Sequence, residues 1–323
     1  MNPLTVAALG GGHGLSATLS ALRFLTDDVT AIVTVADNGG SSGRLRREFG
    51  VLPPGDLRMA LAALCDDSEW GLTWRDVLQH RFGGNGPLAG HAVGNLLILA
   101  LWEIYEDPVS GLELVASLLR AEGRVLPMAA VPLDITADVL GADPAFPDEV
   151  SRVVGQAEVA TTLGRVLDIA LEPVDPPAYP ESIAAIRAAD WVVLGPGSWF
   201  TSVMPHLLVP EVRDALAVTR AGRLLSLNLE MHTAETAGFS AVQHVETFIT
   251  HAPDVRLDVV LADPRAIGDT DPLERICQSV GARLHLSDLA QRATPTVHDP
   301  LRYAAALQDV LLAPRGGTDA VAG

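Results

Sequence analysis

Apolar runs and polar, glycine-rich turns alternate along this chain in a strand, turn, helix order. Val6-Ala7-Ala8-Leu9 runs into Gly10-Gly11-Gly12-His13-Gly14-Leu15-Ser16. Behind it Leu15, Leu19, Leu22 and the Phe24-Leu25 pair recur at helical spacing. Val29 to Ala36 is a continuous β-branched apolar run, the pattern of a central parallel strand covered on both faces. It ends in the polar loop from Asp37 to Arg46. Leu52-Pro53-Pro54-Gly55-Asp56-Leu57-Arg58 opens a helix through residues 59–67. After an acidic, Trp-bearing loop, Gly90-His91-Ala92-Val93-Gly94-Asn95 leads into residues 96–105, so apolar that the helix must be buried. Residues 111–121 form another amphipathic helix.

Residues 124–177 alternate short strand-like runs with Pro and Gly, a β-rich stretch that covers one side of the site. The strand and helix alternation then resumes with a helix from Pro180 and a strand from Asp190 to Leu194. That strand runs into Gly195-Pro196-Gly197-Ser198-Trp199-Phe200-Thr201-Ser202. A helix at 209–218, a strand at 224–229, a loop at 230–238, a helix at 239–249 and a strand at 257–262 follow. Asp271-Pro272-Leu273-Glu274 reads as an N-cap, an N1 proline and an N3 glutamate. Asp299-Pro300 begins a last helix to about Leu312, and 314–323 reads as a frayed tail. The expected fold is α/β, a Rossmann-like doubly wound, mostly parallel sheet. It is read as one domain over 1–313 with an irregular β-rich insertion at about 124–177.

A buried strand, a glycine turn and a helix N-terminus, in that order, make an anion site or a tight turn. The first-turn N–H groups point outward, and glycines let a phosphate approach the backbone. The spacing is G-G-G-x-G, not the dinucleotide fingerprint, which needs glycine where Leu15 sits. Ligands of open α/β sheets collect at strand carboxyl ends, so the second loop should face the first. There Asp37 fits a ribose hydroxyl, a metal or an Asx turn. Ser41, Ser42 and nearby amides are anion donors, and Arg44 is a fork able to grip phosphate. Asp56 reads as an N-cap or a ligand group, with Arg58 in the first turn. The turn at 195–202 repeats the motif with hydroxyls at Ser198, Thr201 and Ser202, and a ligand with two polar ends fits between the two turns.

Composition narrows the chemistry. At 323 residues, with 48% hydrophobic content and a mean hydropathy of +0.27, the chain reads as well packed and soluble. The most apolar window, Leu96 to Trp102, is far short of the roughly 20 residues that span a bilayer. No basic, then apolar, leader opens the chain, so the cytoplasm is the expected compartment. The net charge of −18 opposes nucleic-acid binding. All 22 basic residues are Arg, which removes a Walker lysine and any Schiff-base chemistry. Residues 1–58 hold five Arg and five acids, so the rest of the chain carries the entire negative charge and an anionic ligand belongs near the N-terminal loops. Cys65 and Cys277 form no framework, and the nine histidines fit no zinc spacing. No G-x-S-x-G elbow supports hydrolase chemistry, and no catalytic residue is assigned.

Six stretches occur in family order: GGGHGLS, VTVADNGGSSGRLR, LPPGDLR, GHAVGNLLI, ADWVVLGPGSWFTSVMPHLL and NLEMHTAETAGFSAVQHV. Over roughly residues 5–312 the chain resembles the bacterial YvcK-like gluconeogenesis factors, relatives of 2-phospho-L-lactate transferase. The resemblance implies a Rossmann-like fold and a cytoplasmic protein tied to cell shape and cell-wall precursor supply. It implies binding of a UDP-sugar, chiefly UDP-N-acetylglucosamine, and regulation of an amidotransferase, with no required cofactor; a homodimer stays open. The implied ligand set is Gly10, Gly11, Gly12, His13, Gly14, Leu15 and Ser16; Asp37, Asn38, Gly40, Ser41, Ser42 and Arg44; and Asp56, Arg58, His91 and Asn95. It continues with Gly195, Pro196, Gly197, Ser198, Thr201, Ser202 and Asn228, and Thr233 and Glu235 carry over from a looser stretch. His13 stands at a family threonine and His206 at an asparagine, and Val297-His298-Asp299-Pro300 lacks the family's flanking basic residue and threonine. The alternative is an Mg²⁺-dependent transferase of a nucleotide-diphosphate-linked substrate with Asp37 as metal ligand. A single acid in the second loop favours the sensor.

Overall fold

In the computed structural model, which describes residues 4–105 and 107–313, the apolar runs form one parallel seven-stranded sheet. The strands are β1 (Val6–Gly10), β2 (Val29–Val33), β3 (Arg124–Pro127), β4 (Asp134–Leu140), β5 (Val150–Val154), β6 (Arg165–Glu172), β7 (Trp191–Leu194), β8 (Gly222–Ser226), β9 (Val259–Ala262) and β10 (Arg283–Leu286). The large sheet has the order β10-β9-β8-β7-β1-β2-β3, and β5-β4-β6 form a separate antiparallel sheet. Every residue of β1, β7, β8 and β9 is buried, which is why these runs lack a polar alternation. β3 lies at the start of the stretch expected as an insertion, yet it pairs with β2 as an edge of the main sheet.

The order carries the functional logic. From β1 the chain builds outward through β2 to β3, and from β7 it builds the other way through β8 and β9 to β10. Right-handed crossovers leaving in opposite directions run over opposite faces. The switch point therefore falls between β1 and β7, where a crevice opens at the carboxyl ends. Register keeps those ends level, since Leu9 pairs with Leu194.

Six helices fill the first half: α1 (Gly12–Leu22), α2 (Gly40–Phe49), α3 (Pro54–Ala63), α4 (Glu69–Gln79), α5 (Val93–Tyr105) and α6 (Pro108–Leu119). α1 packs on α3 and on the C-terminal helix Pro300–Leu311. Thr18 Oγ1 shares a hydrogen bond with Tyr303 Oη at 3.2 Å and donates to Gly195 O at 2.9 Å, tying α1 to the turn after β7. The small sheet is anchored beside the crevice. Arg46 donates to Leu133 O and Asp134, and Asn38 bonds both Glu158 and the Ala157 N–H of the helix Gln156–Ala160.

Several elements differ from expectation. The loop after β2 becomes helix α2 from Gly40, and the Trp-bearing loop is helix α4, capped by Ser68. Neither has a long apolar stripe: α2 buries Ser41, Ser42, Gly43 and Leu45. β10 was not anticipated, and its half-exposed residues lack a core pattern. Asp271 is the first residue of its helix, with Thr270 at the cap position. The tail expected at 314–323 lies outside the described residues. Among the described residues no helix is long and apolar enough to cross a membrane.

Candidate functional site

The first turn is built for close approach. Gly11 is extended and caps α1 without any side-chain hydrogen bond, leaving the first-turn amides to other partners. Gly12 adopts φ +55°, a left-handed conformation that costs an L side chain about 1–2 kcal/mol. At Gly14 a Cβ would lie 2.1 Å from Pro196 O, so the first turn rests directly on the second. Asn228, just beyond β8, grips the second turn: its Oδ1 accepts the Gly197 N–H at 2.8 Å and its Nδ2 donates to Gly197 O at 2.8 Å.

Between these segments lies a cleft of about 810 Å³. Gly11, Gly12, His13, Gly14 and Ser16 form one wall, and Pro196, Gly197, Ser198, Ser202 and Asn228 the facing one. Asp37 and Asp56 border the cleft together. Asp37 Oδ1 accepts the Gly39 N–H at 2.9 Å, the Asx-turn geometry. Asp56 is the third residue of α3, not its cap; Pro53 holds that position. Its carboxylate instead receives the Gly12 N–H, and burial together with the neighbouring Asp37 charge pushes its pKa up to about 7.

Other expected ligand residues serve the scaffold. Gly10 ends β1, and Leu15 is core. Gly40 starts α2 at φ +47°, and Asn38 is held by the helix at 156–160. Arg44 does not reach the cleft, because its guanidinium donates to Pro87 O and Ala89 O. Arg58, Asn95, Ser41 and His91 form a buried chain: Arg58 Nε donates to Asn95 Oδ1 at 2.8 Å, Asn95 Nδ2 to Ser41 Oγ at 3.0 Å, and Ser41 meets His91 Nδ1 at 3.0 Å. Ser42 packs against Gly55, Gly195 O receives Thr18, and Thr201 is wholly buried. These groups hold the cleft walls in place without lining them.

The cleft also contains residues that pattern reading did not assign. Ala17 and Ser20 continue the helix face of His13 and Ser16 at helical spacing, a legible signal. Met59, Gln156, Leu229, Glu230 and Gln291 carried none. Thr233, Thr296, Val297, His298 and Pro300 also line it, and His298 packs on Tyr303 with ring centroids 4.9 Å apart. Burial pushes the His298 pKa down to about 4.

A family model described as 2-phospho-L-lactate transferase CofD matches residues 6–297. The chain belongs to this CofD family. It is 51% identical over 308 residues to a Mycobacterium tuberculosis H37Rv protein provisionally named a gluconeogenesis factor, covering 94% of this chain and 90% of that one. It is 36% identical over 265 residues to the gluconeogenesis factor of Bacillus subtilis 168, covering 82% and 80%. The crystal structure of a UPF0052-family protein from Bacillus halodurans superposes with a TM-score of 0.84 at 30% identity, covering 95% of this chain and 99% of that one. Within the CofD family the chain is thus YvcK-like, and the mostly parallel sheet is the family architecture.

Proposed function

We propose that the cleft binds a UDP-sugar, UDP-N-acetylglucosamine foremost, and that binding makes this protein a regulator. In that role it links carbon metabolism to cell-wall precursor synthesis and cell shape by acting on an amidotransferase of the amino-sugar pathway. One observation carries the reading: two glycine turns, each at a strand carboxyl end, line one cleft at the switch point together with the uncapped N-terminus of α1. A diphosphate is the group that helix N-terminal amides suit, and a cleft of about 810 Å³ leaves room for a nucleoside and a sugar on either side of it. The gluconeogenesis-factor naming of the relatives supports the metabolic role.

A specific observation favours a second reading, the Mg²⁺-dependent transfer of a nucleotide-diphosphate-linked group. The lone acid of the second loop is not alone in the cleft, since Asp56 joins Asp37 there. Divalent ions on phosphates are held by one or two carboxylates, so these oxygens fit Mg²⁺. Among the described residues no group of three or more His, Cys, Asp or Glu gathers, so the protein offers no complete cage. Bound there, Mg²⁺ would neutralise phosphate charge, with Asp37 and Asp56 as its protein ligands. Thermal unfolding with UDP-N-acetylglucosamine, with and without Mg²⁺, separates the readings. A ligand at 100 times its Kd adds about 2.7 kcal/mol. Stabilisation in EDTA with the nucleotide sugar recovered intact supports the sensor, whereas strict metal dependence with loss of the nucleotide supports the transferase.

A further inference from the structure

The segment from Asn228 to Phe239 is a strap over one side of the cleft, which it lines through Leu229, Glu230 and Thr233. It is tied down twice to the turn after β7. Asn228 holds Gly197, and seven residues later Glu235 turns its carboxyl into the interior. There Oε1 accepts the Phe200 N–H at 3.3 Å, while Oε2 is buried without a hydrogen-bond partner. Just past the second tie Thr236 Oγ1 donates back to Met231 O at 2.9 Å and folds the strap on itself. The receiving turn, Trp199–Val203, is a single π-helical turn, a local irregularity of the kind concentrated at functional sites.

We propose that Glu235 is a positioning residue that works as a proton-operated latch: protonated, it holds the strap on the π-turn and shapes the cleft wall; ionised, it lets the strap go.

Burial favours the uncharged carboxyl here and outweighs the Thr201 hydroxyl and the Phe200 and Trp199 N–H groups, which favour the carboxylate. Burial pushes the Glu235 pKa up to about 7. The neighbouring titratable groups give it no countercharge. His244 packs its ring on Trp199 and Phe239 and bonds Ser240 O through Nδ1, and burial pushes its pKa down. His206, on the short helix after the π-turn, is fully buried with its pKa pushed down to about 4. His232 lies on the strap itself, and Glu158, on the helix packed against the π-turn, is engaged by Asn38. Among the described residues none of these forms an ion pair with Glu235. Once the strap lifts, the side chain regains an ordinary glutamate pKa and its proton passes to solvent. The closed strap therefore binds more protons than the open one from the ordinary range up to about 7. Its stability falls as pH rises through that window and levels off above it.

Hydrogen exchange of peptides spanning 228–239 in the ligand-free protein tests this, after correction for intrinsic exchange rates. Wild-type protection should drop at least tenfold between pH 5 and pH 7.5. Glu235→Gln keeps the acceptor without the charge, so it should stay protected throughout, whereas Glu235→Ala should be unprotected at both. A wild-type strap whose protection ignores pH, or a Gln variant that declines in step with wild type, overturns the latch. The consequence for affinity rests on the UDP-sugar reading. Glu235→Gln should bind UDP-N-acetylglucosamine more tightly than wild type at pH 8 and equally at pH 5. Absence of any binding to wild type would defeat that reading alone, because the exchange result decides the latch separately.

Discussion

Asn228 and Gly197 are joined by two hydrogen bonds of 2.8 Å, side chain to main chain in both directions, as neighbouring strands would be. The pair extends the contact between β7 and β8 past the end of the sheet and fixes the second glycine turn where the first can meet it. Asn228→Ala removes both partners from Gly197. The expected loss is about 1–3 kcal/mol of stability, with a drop in UDP-N-acetylglucosamine affinity of tenfold or more. Urea unfolding and calorimetry check the two parts.

The glycines of the first turn do different work. A Cβ on Gly14 would press on main-chain atoms of Pro196 and Gly197, which can yield only if the two turns separate. Gly14→Ala should therefore destabilise by about 1–3 kcal/mol or more and abolish binding. A Cβ on Gly12 meets nothing nearer than Asp56 Oδ1 at 3.9 Å. Gly12→Ala should cost only the left-handed strain of about 1–2 kcal/mol and retain measurable binding. Equal melting temperatures and affinities for the two variants would contradict this assignment.

Asp56 sets the sign of a third test. A carboxylate beside a diphosphate repels it, and Asp56 is charged above about pH 7. For a metal-free sensor, Asp56→Asn should raise affinity in EDTA several-fold at pH 8 and change it little at pH 5.5. For a metal-dependent transferase, the same substitution should remove metal-supported binding.

His206 gives a stability test on the acid side. Its Nε2–H donates to Ile32 O at 3.1 Å, and burial pushes its pKa down to about 4. A histidine lowered from the ordinary 6.5 contributes stability above that value and loses it as pH falls towards 4. Wild type should thus lose on the order of 3 kcal/mol more than His206→Gln between pH 7 and pH 4. Denaturant unfolding of both proteins across that range measures the difference, and contributions from Asp56 and Glu235 cancel in the comparison.

Much of this architecture was readable in advance, for identifiable reasons. β1 and β7 are apolar throughout, and β2 at every position but Thr30, because both faces are covered, and the glycines at the ends of β1 and β7 mark the carboxyl ends. Polar residues near those ends were harder to sort. Ser41, Asn95, His91 and Arg58 have the composition of a ligand site, yet they satisfy one another behind the cleft wall. Arg44 has the chemistry to grip phosphate, but residues 87 and 89 offer carbonyls to the same guanidinium. Sequence spacing does not distinguish these outcomes. Helix α2 shows no apolar stripe because its buried side is two serines, a glycine and a single leucine, and Gly43 is there for want of space, with a Cβ only 1.7 Å from Asn38 O.

The most direct measurement is a crystal structure of this protein grown with UDP-N-acetylglucosamine in metal-free buffer. The diphosphate should lie within hydrogen-bond distance of main-chain amides in both turns, those of residues 13–14 and of 198. A nucleotide bound at any other place, or an empty cleft at saturating ligand, would contradict the account.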